Sequence, residues 1–435
     1  PDFIDPTLHQ LVTGRVSRNL DVRMCGESFV RRTFSKNAAK KGMSVVEGVM
    51  GLFDGGDGSA ARLAKLLDLP VLLVVDVRSA AESVAAVVKG FETLDPDLRL
   101  SGVVLNRVGS ERHLQMVVDA VRQHCRVEIV GALPRDEEIT LPSRHLGLHM
   151  GSEIDLDGER LAACIEKHLD LDHILRLASD RKSFVAVNQN QVPETRHLYQ
   201  ARIGIARDQA FCFYYQDNFD MLKSAGAELV SFSPLHDTML PAGVTGLYLG
   251  GGYPELYAED LSANESMRNR IKMFSEAGKP VYGECGGFMY LTRSIADLSG
   301  KVYPMAGVYP AVSRMQQRLR RLGYRQAEMK KQTFFGDSGM MLHGHEFHYS
   351  TMDGMSENVR CVYRLDDGRS EGYLLNRTLA GYVHLHWGKT PLAAENFVRA
   401  CAFQRTEDRS QKTGDRRHEA EARRQRTEDR GQKKI

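Results

Sequence analysis

A chain of 435 residues is long enough for about two to four domains, and 42% hydrophobic and 26% charged residues with 39 Gly exclude collagen-like, coiled-coil and wholly disordered chains. No run approaches the roughly 18–20 uncharged apolar residues that cross a bilayer, and the opening PDFIDPTLHQ lacks the regions of a signal peptide, so no membrane partner is expected. Residues 404–435 carry a net charge of +4 within an overall +2, leaving residues 1–403 slightly acidic and arguing against a nucleic-acid partner.

Residues 1–170 alternate apolar runs with amphipathic stretches. MSVVEGVMGLF (43–53), PVLLVVDV (70–77), LSGVVLNRV (100–108) and VEIVGALP (127–134) predict strands, with helices at SAARLAKLLDL (59–69) and SAAESVAAVVKGFETL (79–94). Near-continuous apolar strands separated by helices imply a parallel sheet covered on both faces. Residues 171–200 lose the rhythm and read as a linker. A second α/β block, 201–402, opens with strand ARIGIA (201–206) and helix YYQDNFDMLKSAG (214–226). Strands AELVSFS, GLYLGGG and KPVYGEC follow, and 300–400 reads as short strands with loops. The tail, 403–435, repeats QRTEDR and has too few large apolar side chains to offset ordering entropy, so disorder or a solvated helix is expected there. Seven scattered cysteines without a C-x-x-C argue for a reducing, cytoplasmic setting.

The strongest chemical signal is GKPVYGECGGFMYLTRSI (278–295). An apolar strand ends at Gly283-Glu284-Cys285-Gly286-Gly287 and a helix begins at once, the G-x-nucleophile-x-G elbow with Cys as nucleophile. The helix N-terminus is expected to favour thiolate over thiol. Leu247-Tyr248-Leu249-Gly250-Gly251-Gly252 runs a strand into three glycines, whose amides suit a developing oxyanion; Gly251, Gly252 and Gly286 are the candidates. In Ala380-Gly381-Tyr382-Val383-His384-Leu385-His386-Trp387, strand alternation puts His384 and His386 on one face, so spacing leaves the base open between them. These histidines, with His343, His345 and His348, are also metal-ligand types, but the spacing lacks the accompanying cysteine or carboxylate ligands.

Taken in order, these motifs resemble the class I glutamine amidotransferases. AFCFYY, LYLGGGYPELYA, GECGGFMYL and GHEFHYS together resemble the cobyrinate a,c-diamide synthase family, glutamine-hydrolysing enzymes of cobalamin biosynthesis. The resemblance implies that Cys285 attacks the glutamine side-chain amide and that His384 is the general base. In the wider superfamily a Glu stands two residues beyond that His. His386 holds the place here, so a Cys–His dyad is expected.

PDFIDP (1–6), VEGVMGLFDG (46–55), LVVDVRSAA, GVVLNRV, GALPR and LPSRHLGL (141–148) resemble the ATP-dependent half of the same family. This implies a P-loop NTPase-like, dethiobiotin synthetase-like domain followed by a flavodoxin-like α/β amidotransferase domain. It also implies ATP as co-substrate, Mg²⁺ held by Glu47 and Asp2, and Asn106 at the adenine base. Asp5 and Asp54 would position substrate or metal, unless they are N-caps or turn formers. Arg144 and His145 would contact an anionic corrinoid lying between the domains.

A phosphate-cradling G-x-x-x-x-G-K-[ST] is not found: the only GKT, at Gly388-Lys389-Thr390, has Val383 where the first glycine belongs. Because the chain opens on Pro1 inside a motif that the family places downstream of its P-loop, the expectation is truncation before that loop and no ATP-dependent amidation by the chain as given. The leading reading is amidation of the a and c side-chain carboxylates of cobyrinate, with glutamine as the second substrate and homodimerisation left open. The rival readings are a paralogue acting on hydrogenobyrinate, a cobyrate precursor or a nickel tetrapyrrole, and a non-catalytic scaffold. A hydrolase using the same elbow would need a carboxylate-paired His.

Overall fold

The computed structural model describes residues 1–38, 42–136, 141, 143–144, 147–148, 150–179 and 200–402. His145, the tail 403–435 and residues 180–199 of the expected linker lie outside the described residues, and of Arg144 only the backbone is described. The chain divides into two compact units, residues 1–191 and 192–435.

In the first unit, β1 (Val71–Asp76), β2 (Leu100–Val108) and β3 (Ile129–Pro134) form a parallel sheet in that order. Helices Ala60–Leu67, Val84–Leu94 and Glu111–His124 alternate with them. Ser59 and Ser110 start two of these helices by accepting hydrogen bonds from Arg62 N–H and His113 N–H. Val103, Leu105, Val117 and Val121 fill the core between sheet and helices.

The run 43–53 departs from expectation, for it contains no strand. Val45, Val49 and Met50 are exposed, while Leu52 and Phe53 turn inward, Phe53 stacking on Phe91 at 5.8 Å. Apolar content alone does not make a strand; a neighbouring edge must accept its backbone hydrogen bonds, and no described strand pairs with this run. Nor does residue 171 begin a loop. Leu171–Ser179 is a helix whose first turn is capped by Asp170 accepting from His173 N–H at 2.8 Å.

The second unit is built on a ten-stranded mixed sheet. Its strands are β4 (Ala201–Ala206), β5 (Ala227–Phe232), β6 (Gly246–Leu249), β7 (Val281–Glu284), β8 (Arg321–Met329), β9 (Met341–His348), β10 (Arg360–Leu365), β11 (Ser370–Leu375), β12 (Thr378–Gly381) and β13 (His384–Leu385). Their spatial order is β13-β9-β8-β10-β11-β12-β7-β6-β4-β5. The five strands from β12 to β5 are parallel, and the other pairings are antiparallel. Every residue of β6, β7 and β12 is buried, as expected of parallel strands covered on both faces. One face packs on Phe219, Leu222, Phe335, Trp387 and Phe397, the other on Leu261, Ile271, Phe288 and Leu291. The carboxyl ends of β6 and β7 open on Gly250–Gly252 and Cys285, the end of a parallel sheet where active-site loops gather.

Candidate active site

Cys285 sits between β7 and the helix Gly286–Leu291 with φ 47° and ψ −101°. Holding an L-residue there costs about 1–3 kcal/mol. The conformation is fixed from both sides: Cys285 N–H donates to Gly381 O at 2.7 Å, and Met289 N–H donates to Cys285 O at 2.9 Å. Glycine is needed at the next position, where a Cβ on Gly286 would come within 2.9 Å of Pro254 Cδ and 3.0 Å of Gly252 N. The elbow therefore brings the nucleophile, Gly286 and the Gly250–Gly252 loop into one corner.

That loop is held by named contacts. Gly250 N–H donates to Tyr214 Oη at 2.8 Å, Tyr253 N–H donates to Ala210 O at 3.0 Å, and Gly287 N–H donates to Gly250 O at 2.9 Å. Gly252 has φ 154°, where a side chain would strike Ala210 O. At Gly251 a Cβ would strike the His384 ring, so this glycine lets the imidazole lie against the loop.

The thiol differs from the expectation that the helix end makes it a thiolate. Burial pushes the Cys285 thiol well above its ordinary range, and nearby Glu255, Glu284 and Glu346 push the same way, while the Gly286 N–H pulls down. A six-residue helix supplies too little field to overcome desolvation and three carboxylates. Burial, aided by His348, holds His384 down at about 3. The free protein therefore rests with a neutral thiol at Cys285 and a neutral imidazole at His384. A raised thiol pKa means less thiolate at neutral pH, so iodoacetamide should label Cys285 at pH 7 at least about tenfold more slowly than free cysteine. The rate should still be climbing at pH 9; a plateau below pH 7 would overturn this account.

His384 pairs across the sheet with His345, their rings stacked at 5.0 Å, and Tyr215 hydroxyl meets His345 Nδ1 at 2.9 Å. His386 has other neighbours. Gly388 N–H donates to its Nδ1 at 3.0 Å, its Nε2 lies 3.8 Å from Asp217 Oδ2, and the Tyr215 ring is 4.9 Å away. His384 is thus the imidazole laid against the glycine loop. His348 stacks on Tyr382 at 3.8 Å and its Nδ1 meets Ser350 O at 2.9 Å. Glu346 is paired with Arg325 and Arg369, each at 2.6 Å.

Sequence reasoning left Asp217, Asn218, Tyr215 and Glu284 without a role. Among them, Glu284 offered a signal, being a carboxylate that ends the fully buried strand Val281–Glu284.

In the first unit, Asp2 Oδ1 accepts from Ile4 N–H at 2.7 Å and Asp5 N–H at 3.2 Å, forming the turn into helix Asp5–Thr13. Asp5 is pushed to about 7, chiefly by burial, then by its hydrogen bond to Asp2 and the charges of Asp2 and Glu47. Glu47 Oε2 meets His9 Nε2 at 2.8 Å. Asp54 N–H closes a turn onto Gly51 O at 2.9 Å. Asn106 lies in β2 opposite Asp76, the last residue of β1, and its Oδ1 accepts from Arg107 N–H at 2.9 Å. Among the described residues, no three His, Cys, Asp or Glu side chains converge as a metal site. Asp2, Asp5 and Glu47 do carry hard oxygens of the type that Mg²⁺ takes, and the charges of Asp2 and Glu47 act on Asp5.

Comparison with known proteins places the chain. A CobB/CobQ-like glutamine amidotransferase domain matches residues 202–392, and an AAA domain matches residues 10–143. Cobyrinate a,c-diamide synthase of Caldanaerobacter subterraneus is 40% identical over 413 residues, covering 92% of this chain and 90% of that protein. The synthase of Leptospira interrogans is 41% identical over 415 residues, with 92% and 90% covered, and that of Priestia megaterium 39% identical over 419, with 94% and 90% covered. The chain belongs to the cobyrinate a,c-diamide synthase family. It is accordingly a glutamine-dependent amide ligase with an amidotransferase unit and a nucleotide-dependent unit. Among the described residues, no helix is long and apolar enough to cross a membrane.

Proposed function

We propose that this member of the cobyrinate a,c-diamide synthase family converts the a and c side-chain carboxylates of cobyrinate to amides in the cytoplasm, with ammonia from glutamine and activation by ATP. The observation that carries the glutaminase half is the elbow at Cys285, φ 47°, with Gly286 N–H at its sulfur and His384 against Gly251.

When glutamine enters, the Cys285 S–H proton passes to His384 and the thiolate adds to the side-chain carbonyl carbon. Gly251, Gly252 and Gly286 amides stabilise the oxyanion, for the Gly250 and Tyr253 amides are engaged elsewhere. Protonated His384 returns its proton to the leaving nitrogen as the C–N bond breaks, giving ammonia and a glutamyl thioester. Water, deprotonated by His384, then cleaves the thioester to glutamate and restores the thiol.

In the other unit, the substrate carboxylate takes the terminal phosphoryl group of ATP. Ammonia displaces phosphate from the acyl phosphate, leaving amide, ADP and phosphate. Glu47 and Asp2 would hold Mg²⁺, which supplies charge neutralisation at the phosphates. Asn106 would meet adenine, and Asp5, Asp54, Arg144 and His145 would position substrate.

Full-length protein supplied with ATP, cobyrinate and amide-¹⁵N glutamine should yield the labelled a,c-diamide. Labelled amide on hydrogenobyrinate or a nickel tetrapyrrole, with none on cobyrinate, would sink the substrate assignment.

A further inference from the structure

Three strand ends deliver the groups that handle glutamine. β6 leads into Gly250–Gly252, β7 into Cys285, and β13 opens on His384. In the sheet, β13 is an edge strand of two residues paired only with β9, and five strands separate it from β7. β12, whose Gly381 O accepts from Cys285 N–H, ends three residues before His384, but among the described residues no ladder hydrogen bond joins β13 itself to β7.

One buried side chain ties β13 directly to β7. Glu284, 1% exposed, accepts from Tyr282 hydroxyl at 2.5 Å and Leu385 N–H at 3.0 Å on Oε1, and from Tyr248 hydroxyl at 3.0 Å on Oε2. Its donors thus come from β6, β7 and β13 together. Asn218, fully buried, grips the next peptide groups, donating to Leu385 O at 2.8 Å and accepting from Trp387 N–H at 3.1 Å.

We propose that Glu284 is a positioning residue for glutamine hydrolysis, tying the backbone beside His384 to the strands that carry the nucleophile and the glycine loop. The inference rests on the assignment of Cys285 and His384 above. A buried carboxyl is costly unless its acceptors are filled, and here three donors fill them. Burial pushes Glu284 up to about 7 against the pull of those donors. Leu385 N–H needs only a carbonyl-type oxygen, which the neutral side chain also presents. Filling the space with an apolar side chain would leave Leu385 N–H and two tyrosine hydroxyls without their acceptor.

The test compares Glu284→Leu and Glu284→Gln in glutaminase assays, with calorimetric glutamine binding measured in the Cys285→Ala background. Displacing a catalytic group by about 1 Å costs roughly 100-fold, so Glu284→Leu should lower kcat about 100-fold while KM and the glutamine Kd stay within about threefold. Glu284→Gln keeps an oxygen for Leu385 N–H and should hold kcat within about fivefold of the parent. The proposal is overturned if Glu284→Leu keeps kcat within about threefold, if glutamine binding is lost in step with kcat, or if Glu284→Gln falls as far as Glu284→Leu. Glutamate release surviving Cys285→Ala alone would instead remove the site assignment itself, a separate outcome.

Discussion

Replacing Cys285 by Ala is expected to lower glutamate release from glutamine by at least about 10⁴-fold, the scale of losing a nucleophile whose covalent intermediate carries the reaction. Glutamine should still bind, because the glycine loop, Tyr214 and Tyr253 keep their contacts without the sulfur. The strained backbone at φ 47° is retained by any L-residue at this position, so Ala should leave the elbow standing. Steady-state glutaminase assays paired with calorimetry separate the two effects. Activity retained in Cys285→Ala would mean that another group attacks the amide.

The second large effect separates two histidines that alternation along the chain cannot. His384→Ala should cost about 10³-fold in glutaminase kcat, within the range for losing a general base. His386→Ala should cost only about tenfold, since its ring faces Asp217 and the Gly388 N–H and acts on the site through packing. The pH dependence follows in sign. A histidine held down at about 3 in the free protein is already neutral at pH 5, so protonation of His384 should place no acid limb on kcat/KM between pH 5 and 7. A larger loss from His386→Ala than from His384→Ala would exchange the two roles.

The parallel sheets were legible because buried parallel strands read as near-continuous apolar runs, with few polar interruptions in Leu100–Val108 and Ala201–Ala206. The run 43–53 has the same composition and forms no strand, for pairing depends on a neighbour that composition does not reveal. The elbow, the glycine loop and the paired histidines could be found because each is a local pattern with a steric reason. What the sequence hid is tertiary. The charge state of Cys285 is governed by burial and by Glu255, Glu284 and Glu346, which converge only in the fold. The link from Glu284 to Leu385 spans 101 positions, and that to Tyr248 spans 36. No spacing rule reaches across such intervals.

Acid-quenched mass spectrometry during glutamine turnover tests the central claim most directly. The peptide containing Cys285 should gain one glutamyl group, and hydroxylamine should remove it as a thioester. Continued release of glutamate with no such adduct on Cys285, or with the adduct on another residue, would contradict the account.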